Sequence, residues 1–352
     1  SKIVKWLLLV SLVAAAPVFL QAQADAPPNS ARQWLDNMSR SLQSLDYDGT
    51  FVYYHDGKLE AMRIVHQVSA AGEKERLMSL TGSAREVLRD DKAVTCIMPD
   101  NKSVMVGQSR PRQPFPDVPE DLDSLSPYYQ LRDVGEDRVA GLMTRVIDIT
   151  PRDNYRYGYR FWIDTTNYML LKFELSAVDG TAIEQVMFTG LRVGDRIPAA
   201  ALEPSLTGEG YNWYRQGSGG ENPAAAPVQP DWTVKQLPAG FSMTDYQRKR
   251  LHHGGEQAEH MVFSDGLATV SVYVEKLAAN RQAFTGLSNM GAMNAYGTVL
   301  DDHQVTVVGE VPAATVQSMA QLVSRRSPVS YTHLTLPTTG IRWWSGGGGG
   351  GG

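Results

Sequence analysis

The stretch Tyr155 to Leu191, YRYGYRFWIDTTNYMLLKFELSAVDGTAIEQVMFTGL, decides the fold of the first half of the chain. Tyr157, Tyr159, Phe161 and Ile163 fall on one face and Arg156, Gly158, Arg160 and Trp162 on the other, the period-2 alternation of a strand between two environments. Asp164-Thr165-Thr166-Asn167 and Val178-Asp179-Gly180 supply turn chemistry, so the stretch reads as a three-stranded antiparallel meander. Its third strand, Thr181 to Thr189, alternates less strictly, with Ile183, Val186 or Gln185, and Phe188 turned inward.

Working outward, the same pattern recurs toward the N-terminus. Residues 47–68 form a hairpin about His55-Asp56-Gly57-Lys58, and further turns fall at Ala71-Gly72-Glu73, Asp90-Asp91-Lys92 and Pro99-Asp100-Asn101-Lys102. Strands are expected again over Tyr128 to Val134 and Arg138 to Ile149. A sequential meander of this length curls into a half-open barrel, because twist accumulates from strand to strand. Ahead of it, Ser30 to Leu45 reads as a helix capped by Ser30, with Trp34, Leu35, Met38, Leu42 and Leu45 as its apolar stripe. Between Gly107 and Leu131 four prolines interrupt the strands and a short helix is expected over Asp121 to Tyr129. That excursion is either a lid over one opening of the barrel or a plain solvated loop.

The 352 residues suffice for two domains, and a 42% hydrophobic content is that of a globular protein. Lys2 and Lys5 precede an apolar run from Trp6 to Leu20 and then Ala22-Gln23-Ala24, the parts of a secretory signal over residues 1–24, and too short a run for a bilayer span. Residues 327–352, ending in a glycine run, match nothing before them and read as a non-native tail. Setting both ends aside removes Lys2, Lys5 and Arg342 from 33 basic residues, leaving 30 against 38 acidic and a net charge of −8, which argues against nucleic acid as a partner. Cys96 is the single cysteine, so no internal disulfide is available, and its strand-like setting favours a structural thiol.

Residues 216–230, rich in Gly and then Pro, read as a linker reaching at most ~45 Å, between a first domain over 25–215 and a second over 231–326. Strand-like runs at 243–251, 259–264, 268–275, 295–300 and 304–308, then a helix begun by Pro312, make the second a small antiparallel sheet covered by one helix. No phosphate loop, dinucleotide fingerprint or nucleophile elbow is present, so no catalytic residue and no cofactor is nominated. His252, His253, Glu256, Glu259 and His260 crowd one short stretch, but Gly254-Gly255 breaks any helix that would align them, so they read as hairpin residues and no metal site is assigned. Arg248, Lys249 and Arg250 beside His253 form the densest basic patch. It is a solvated strand edge, or a seat for an acidic partner segment or for lipid phosphates.

Taken together the chain resembles the MucB/RseB family of periplasmic regulators of an envelope-stress sigma factor. The resemblance rests on Tyr159-Arg160-Phe161-Trp162-Ile163-Asp164 with Met169-Leu170-Leu171-Lys172, on Gly240-Phe241, on the run His260 to Val274 containing Ser264-Asp265-Gly266-Leu267-Ala268, and on Val307 to Pro312. It implies a mixed α+β, mainly antiparallel architecture: a large unclosed β-barrel domain similar to the lipoprotein carriers LolA and LppX, with helices, and a small sheet-and-helix domain. It implies a periplasmic protein that binds the periplasmic domain of a transmembrane anti-sigma factor (MucA or RseA type) and shields it from regulated proteolysis, controlling alginate production in the MucB branch. Lipopolysaccharide or lipoprotein acyl chains are the implied releasing signal. From strand facing and this resemblance, Tyr157, Tyr159, Phe161 and Met169 are the expected lipid-binding residues, and Arg248, Lys249, Arg250 and His253 the expected partner-binding ones. A homo-oligomer would conceal part of the apolar surface. The alternative is a lipid or lipoprotein carrier, in which the second domain serves for docking.

Overall fold

The computed structural model describes residues 30–107, 115–215, 229–250 and 257–326. The chain divides into two compact units: residues 1–152 with 158–217, and residues 153–157 with 218–352.

The first unit opens with helix α1 (Ala31–Ser44), where the Ser30 hydroxyl accepts from Gln33 N at 3.2 Å and so caps the first turn as its position suggests. Trp34, Leu35 and Met38 are buried, while Leu42 is half-buried. Six strands follow: β1 (Tyr47–His55), β2 (Lys58–Ser69), β3 (Gly72–Ser79), β4 (Glu86–Asp90), β5 (Val94–Met98) and β6 (Ser103–Gly107). Asp56 and Gly57, at φ 48° and 71°, close the first hairpin in the two-residue turn whose twist suits the strands. After a 3₁₀ turn at Leu122–Leu125 come β7 (Tyr129–Val139), β8 (Leu142–Pro151), β9 (Gly158–Asp164), β10 (Leu170–Ser176), β11 (Ala182–Val193) and β12 (Asn212–Arg215).

All twelve form one sheet in the order β12-β6-β5-β4-β3-β2-β1-β11-β10-β9-β8-β7. The ladder does not close: β12 and β7 end it, and the meander from β9 to β11 joins β1 through its last strand. Several details depart from expectation. The short helix expected over Asp121 to Tyr129 is only the 3₁₀ turn Leu122–Leu125. The strand expected over Arg138 to Ile149 is broken at Ala140-Gly141, at φ 50° and 79°, the two-residue turn that joins β7 to β8. β7 runs unbroken past Val134, because a bulge at Asp133/Gly135, with Gly135 at φ 123°, absorbs the irregular residues that looked like a break. β12 was not anticipated, and it pairs parallel to β6.

The second unit contains β13 (Trp232–Val234), β14 (Ser242–Arg250), β15 (Gln257–Ser264), β16 (Thr269–Lys276), β17 (Gly286–Met290), β18 (Met293–Leu300), β19 (His303–Gly309), helix α2 (Ala313–Gln321) and β20 (Val323–Arg325). Six strands form an antiparallel sheet in the order β14-β15-β16-β19-β18-β17, and β13 pairs with β20. Met261, Phe263, Val270, Val272, Val305 and Val307 make the core with Val316, Met319 and Ala320 of α2. Pro312 stands at the N-cap, one place before its expected position, with β-region ψ of 150°.

Candidate functional site

One face of the large sheet carries aromatic side chains across β1 and β9 to β11. Phe51 and Phe188 meet at 5.6 Å, and Phe115, from within the proline-rich excursion, lies 6.0 and 5.7 Å from them. Tyr159, Phe161 and Phe173 form a second group, with centroids 5.5–6.5 Å apart. Gly49 must be glycine there: a Cβ would lie 2.6 Å from the Phe188 ring and 2.7 Å from Leu191. This half of the face is filled, and Phe51, Phe161 and Phe188 are wholly buried.

The same face continues differently toward β12. Cross-strand register lines up Gly49, Ile64, Leu77, Val87, Cys96, Met105 and Tyr214 in one row. Exposure climbs along it: Ile64 is 1% exposed, Leu77, Val87 and Cys96 are half-buried, and Met105 and Tyr214 reach 52% and 57%. On the opposite face Ile197, Ala201 and Leu202 pack over Val65 and Met78, so there the sheet is covered. An apolar row open on one side and backed on the other can accept an apolar ligand by shielding it from water. Burial pushes the Cys96 thiol up, which keeps it neutral and apolar in character.

A charged row flanks the apolar one. Tyr47, His66, Glu75 and Arg89 stand opposite one another across β1 to β4. His66 Nε2 lies 2.8 Å from Glu73 Oε1, and Arg89 donates to both Glu73 and Glu75. Burial pushes the Glu73 carboxyl up, but hydrogen bonds from Arg89 and His66 outweigh it and hold the group below its usual range. Burial also raises the Tyr47 phenol well above its ordinary value. His66, Glu73 and Glu75 bring ligand atoms within 4.8 Å of one another, as a metal would require. The Arg89 guanidinium already occupies the place of a cation between the carboxylates, so the donor set fits an internal ion-pair network.

The anticipated lipid-binding residues are distributed unevenly. Tyr159 and Phe161 stand together in the filled half, 9% and 0% exposed, and Met169 is buried beside the β9–β10 turn, its carbonyl accepting from Asp164 N at 2.8 Å. Tyr157 precedes β9 and belongs to the second unit, where its hydroxyl donates to Ala292 O at 3.3 Å and accepts from Asn294 Nδ2 at 3.0 Å. Of the basic patch, Arg248 reaches the Tyr246 hydroxyl and Asp231, both at 2.9 Å, and Glu259 at 3.4 Å, so acids of its own unit surround it. The Lys249 and Arg250 backbones pair with Ala258 and Gln257. His253 lies outside the described residues.

One polar centre escaped the sequence reading. Arg156, fully buried in the second unit, donates to Asp265 Oδ2 at 2.8 Å, to both Asp153 oxygens and to Ala239 O, with Phe241 beneath it at 5.1 Å. Asp265 Oδ1 also accepts from Leu267 N and Ala268 N at 2.9 and 2.7 Å. The Ser264-Asp265-Gly266-Leu267-Ala268 run was the visible signal: its aspartate shapes a turn and holds a cation at once.

The molecule is thus of a defined class: a two-unit, mainly antiparallel protein whose large unclosed sheet presents an apolar row. The chain belongs to the MucB/RseB family. Residues 30–206 match the MucB/RseB N-terminal domain and residues 226–324 the MucB/RseB C-terminal domain. It is 32% identical over 327 residues to the sigma factor AlgU regulatory protein MucB of Pseudomonas aeruginosa, covering 89% of this chain and 95% of that protein. It is 27% identical over 321 residues to the sigma-E factor regulatory protein RseB of Escherichia coli K12, covering 89% and 95%. The crystal structure of MucB in complex with MucA(peri) superposes with a TM-score of 0.65 at 27% identity, over 85% of this chain and all of that one.

Proposed function

We propose that this chain is a periplasmic negative regulator of an envelope-stress sigma factor. It binds the periplasmic domain of a transmembrane anti-sigma factor of the MucA or RseA type and protects it from regulated proteolysis. The observation that carries the reading is the likeness, over both units, to a protein whose solved structure is a complex with MucA(peri). Acyl chains of lipopolysaccharide or of a lipoprotein are the releasing signal. The half-open row from Leu77 to Tyr214 receives them, on the sheet face that Tyr159 and Phe161 help to fill. At about 0.8 kcal/mol per buried methylene, part of one chain supplies several kcal/mol. That energy lowers partner affinity only to the extent that lipid and partner favour different arrangements of the protein.

The test mixes the full chain with the anti-sigma periplasmic segment and follows cleavage of that segment by a site-1-type protease. Protection that lipid A micelles or an acylated peptide abolish is the expected result. Absence of protection, with lipid still bound, would turn the assignment toward a lipid carrier.

A further inference from the structure

Four strands end the two large sheets: β7 and β12 in the first unit, β14 and β17 in the second. An edge strand presents a row of unpaired N–H and C=O groups, and proteins blunt such edges with charge, bulges or brevity. β7 carries Arg132, Asp133, Glu136, Asp137 and Arg138 and a bulge. β12 has four residues. β14 has a bulge between Met243 and Asp245 and the run Arg248-Lys249-Arg250.

β17, five residues long, has neither charge nor bulge. Its register with β18 is unbroken from Gly286 opposite Gly297 to Met290 opposite Met293, and residues 282–300, QAFTGLSNMGAMNAYGTVL, contain no charged side chain. Leu287 and Met290 are 51% and 71% exposed. The strand is also held ready. Phe284 N donates to Gln304 Oε1 and Gln304 Nε2 donates back to Phe284 O, both at 2.8 Å, while Asn289 Nδ2 ties the turn through Gly291 O at 3.0 Å. Leu287 stands in register with Tyr296, Val307 and Val272, the row that faces the core, so an added strand would continue that row.

We propose that the open edge of β17 is a strand-addition site for an extended, uncharged segment of the anti-sigma partner, with an apolar side chain placed beside Leu287. The identity of the partner rests on the function proposed above. Five residues of ladder offer few main-chain hydrogen bonds, each of modest net worth, so the edge holds only an occupant that is anchored elsewhere on the same protein. A long partner segment meets that condition, and a second copy joined through β17 alone does not. Because the hairpin is uncharged, this contact is insensitive to salt.

The experiment uses the full chain and a fluorescently labelled anti-sigma periplasmic segment. Leu287→Lys places a charge on the edge, and Met243→Lys places one on the opposite edge of the same sheet. The expected result is at least tenfold weaker binding for Leu287→Lys, less than twofold change for Met243→Lys, and slowed amide exchange over residues 286–290 of the unmodified protein when the segment is added. Equal affinities with unchanged exchange would overturn the edge assignment and leave the proposed function standing. Failure of the unmodified protein to bind the segment overturns both. Should Leu287→Lys fold poorly, the exchange measurement on the unmodified protein decides alone. Self-association that Leu287→Lys abolishes, with segment binding intact, would reassign the edge to a second copy.

Discussion

The two halves of one sheet face use apolar side chains to opposite ends. Over β1 and β9 to β11, Phe51, Phe161, Phe173 and Phe188 pack on each other and on Phe115 and exclude water. Over β3 to β6 and β12, Leu77, Val87, Cys96, Met105 and Tyr214 stand in an equally apolar row whose outer members are exposed. Apolar character alone does not separate the halves. What separates them is whether something among the described residues covers the row, and uncovered apolar surface of this kind marks interaction sites.

The contrast can be broken most severely in the filled half. Phe188→Ala should cost about 3–5 kcal/mol, since it deletes a buried ring and leaves a cavity between Phe51 and Phe115, and urea unfolding would show it. A smaller loss, about 1–3 kcal/mol, is expected for Asp265→Ala, which removes one of the two carboxylates on the buried Arg156 guanidinium and the acceptor of Leu267 N and Ala268 N while Asp153 stays in place. It should leave acyl-chain binding in the first unit unchanged, as a lipid titration would verify.

The open half should answer in the reverse sense. Replacing Met105 and Tyr214 together by serine should alter stability by less than about 1 kcal/mol, because both side chains are already half in water. The same pair should weaken acyl-chain binding about tenfold, near 1.4 kcal/mol. Unchanged lipid affinity would place the chain elsewhere. Cys96 sharpens the comparison further. With its thiol pushed up by burial, alkylation should be slow at neutral pH, accelerate only in alkaline buffer, and slow again when a lipid lies on the row.

The smallest effect concerns pH. Asp48 is held below the usual carboxylate range chiefly by a hydrogen bond from Arg63, against burial, and also by Arg192. A depressed folded value stabilises the protein above the unfolded pKa of about 3.9, and that contribution is lost as pH falls through the folded value. Melting temperature should therefore drop below about pH 4, and Asp48→Asn should flatten that part of the profile.

Much of the architecture could be read in advance because it is written in local chemistry. The Ser30 cap, the Asp56-Gly57 turn and the alternation through Tyr159, Phe161 and Ile163 each depend on residues close in the chain. β12 and β17 were missed for a physical reason. Asn212-Trp213-Tyr214-Arg215 and Gly286-Leu287-Ser288-Asn289-Met290 are too short or too irregular to favour a strand by themselves, and each becomes one by lying against a longer neighbour, β6 or β18. The site residues divided likewise. Tyr159 and Phe161 were recognisable as inward-facing, but their exposure depends on Phe173, which no period-2 count supplies.

By itself the sequence determined the family, the antiparallel meanders and both helices, because caps, turns and side-chain period act over a few residues. Only the tertiary structure decided which apolar row is sealed and which is open, and that Arg156 meets Asp265. Those outcomes depend on contacts between residues far apart in the chain, whose energies are fixed by burial and by the partners that folding brings together.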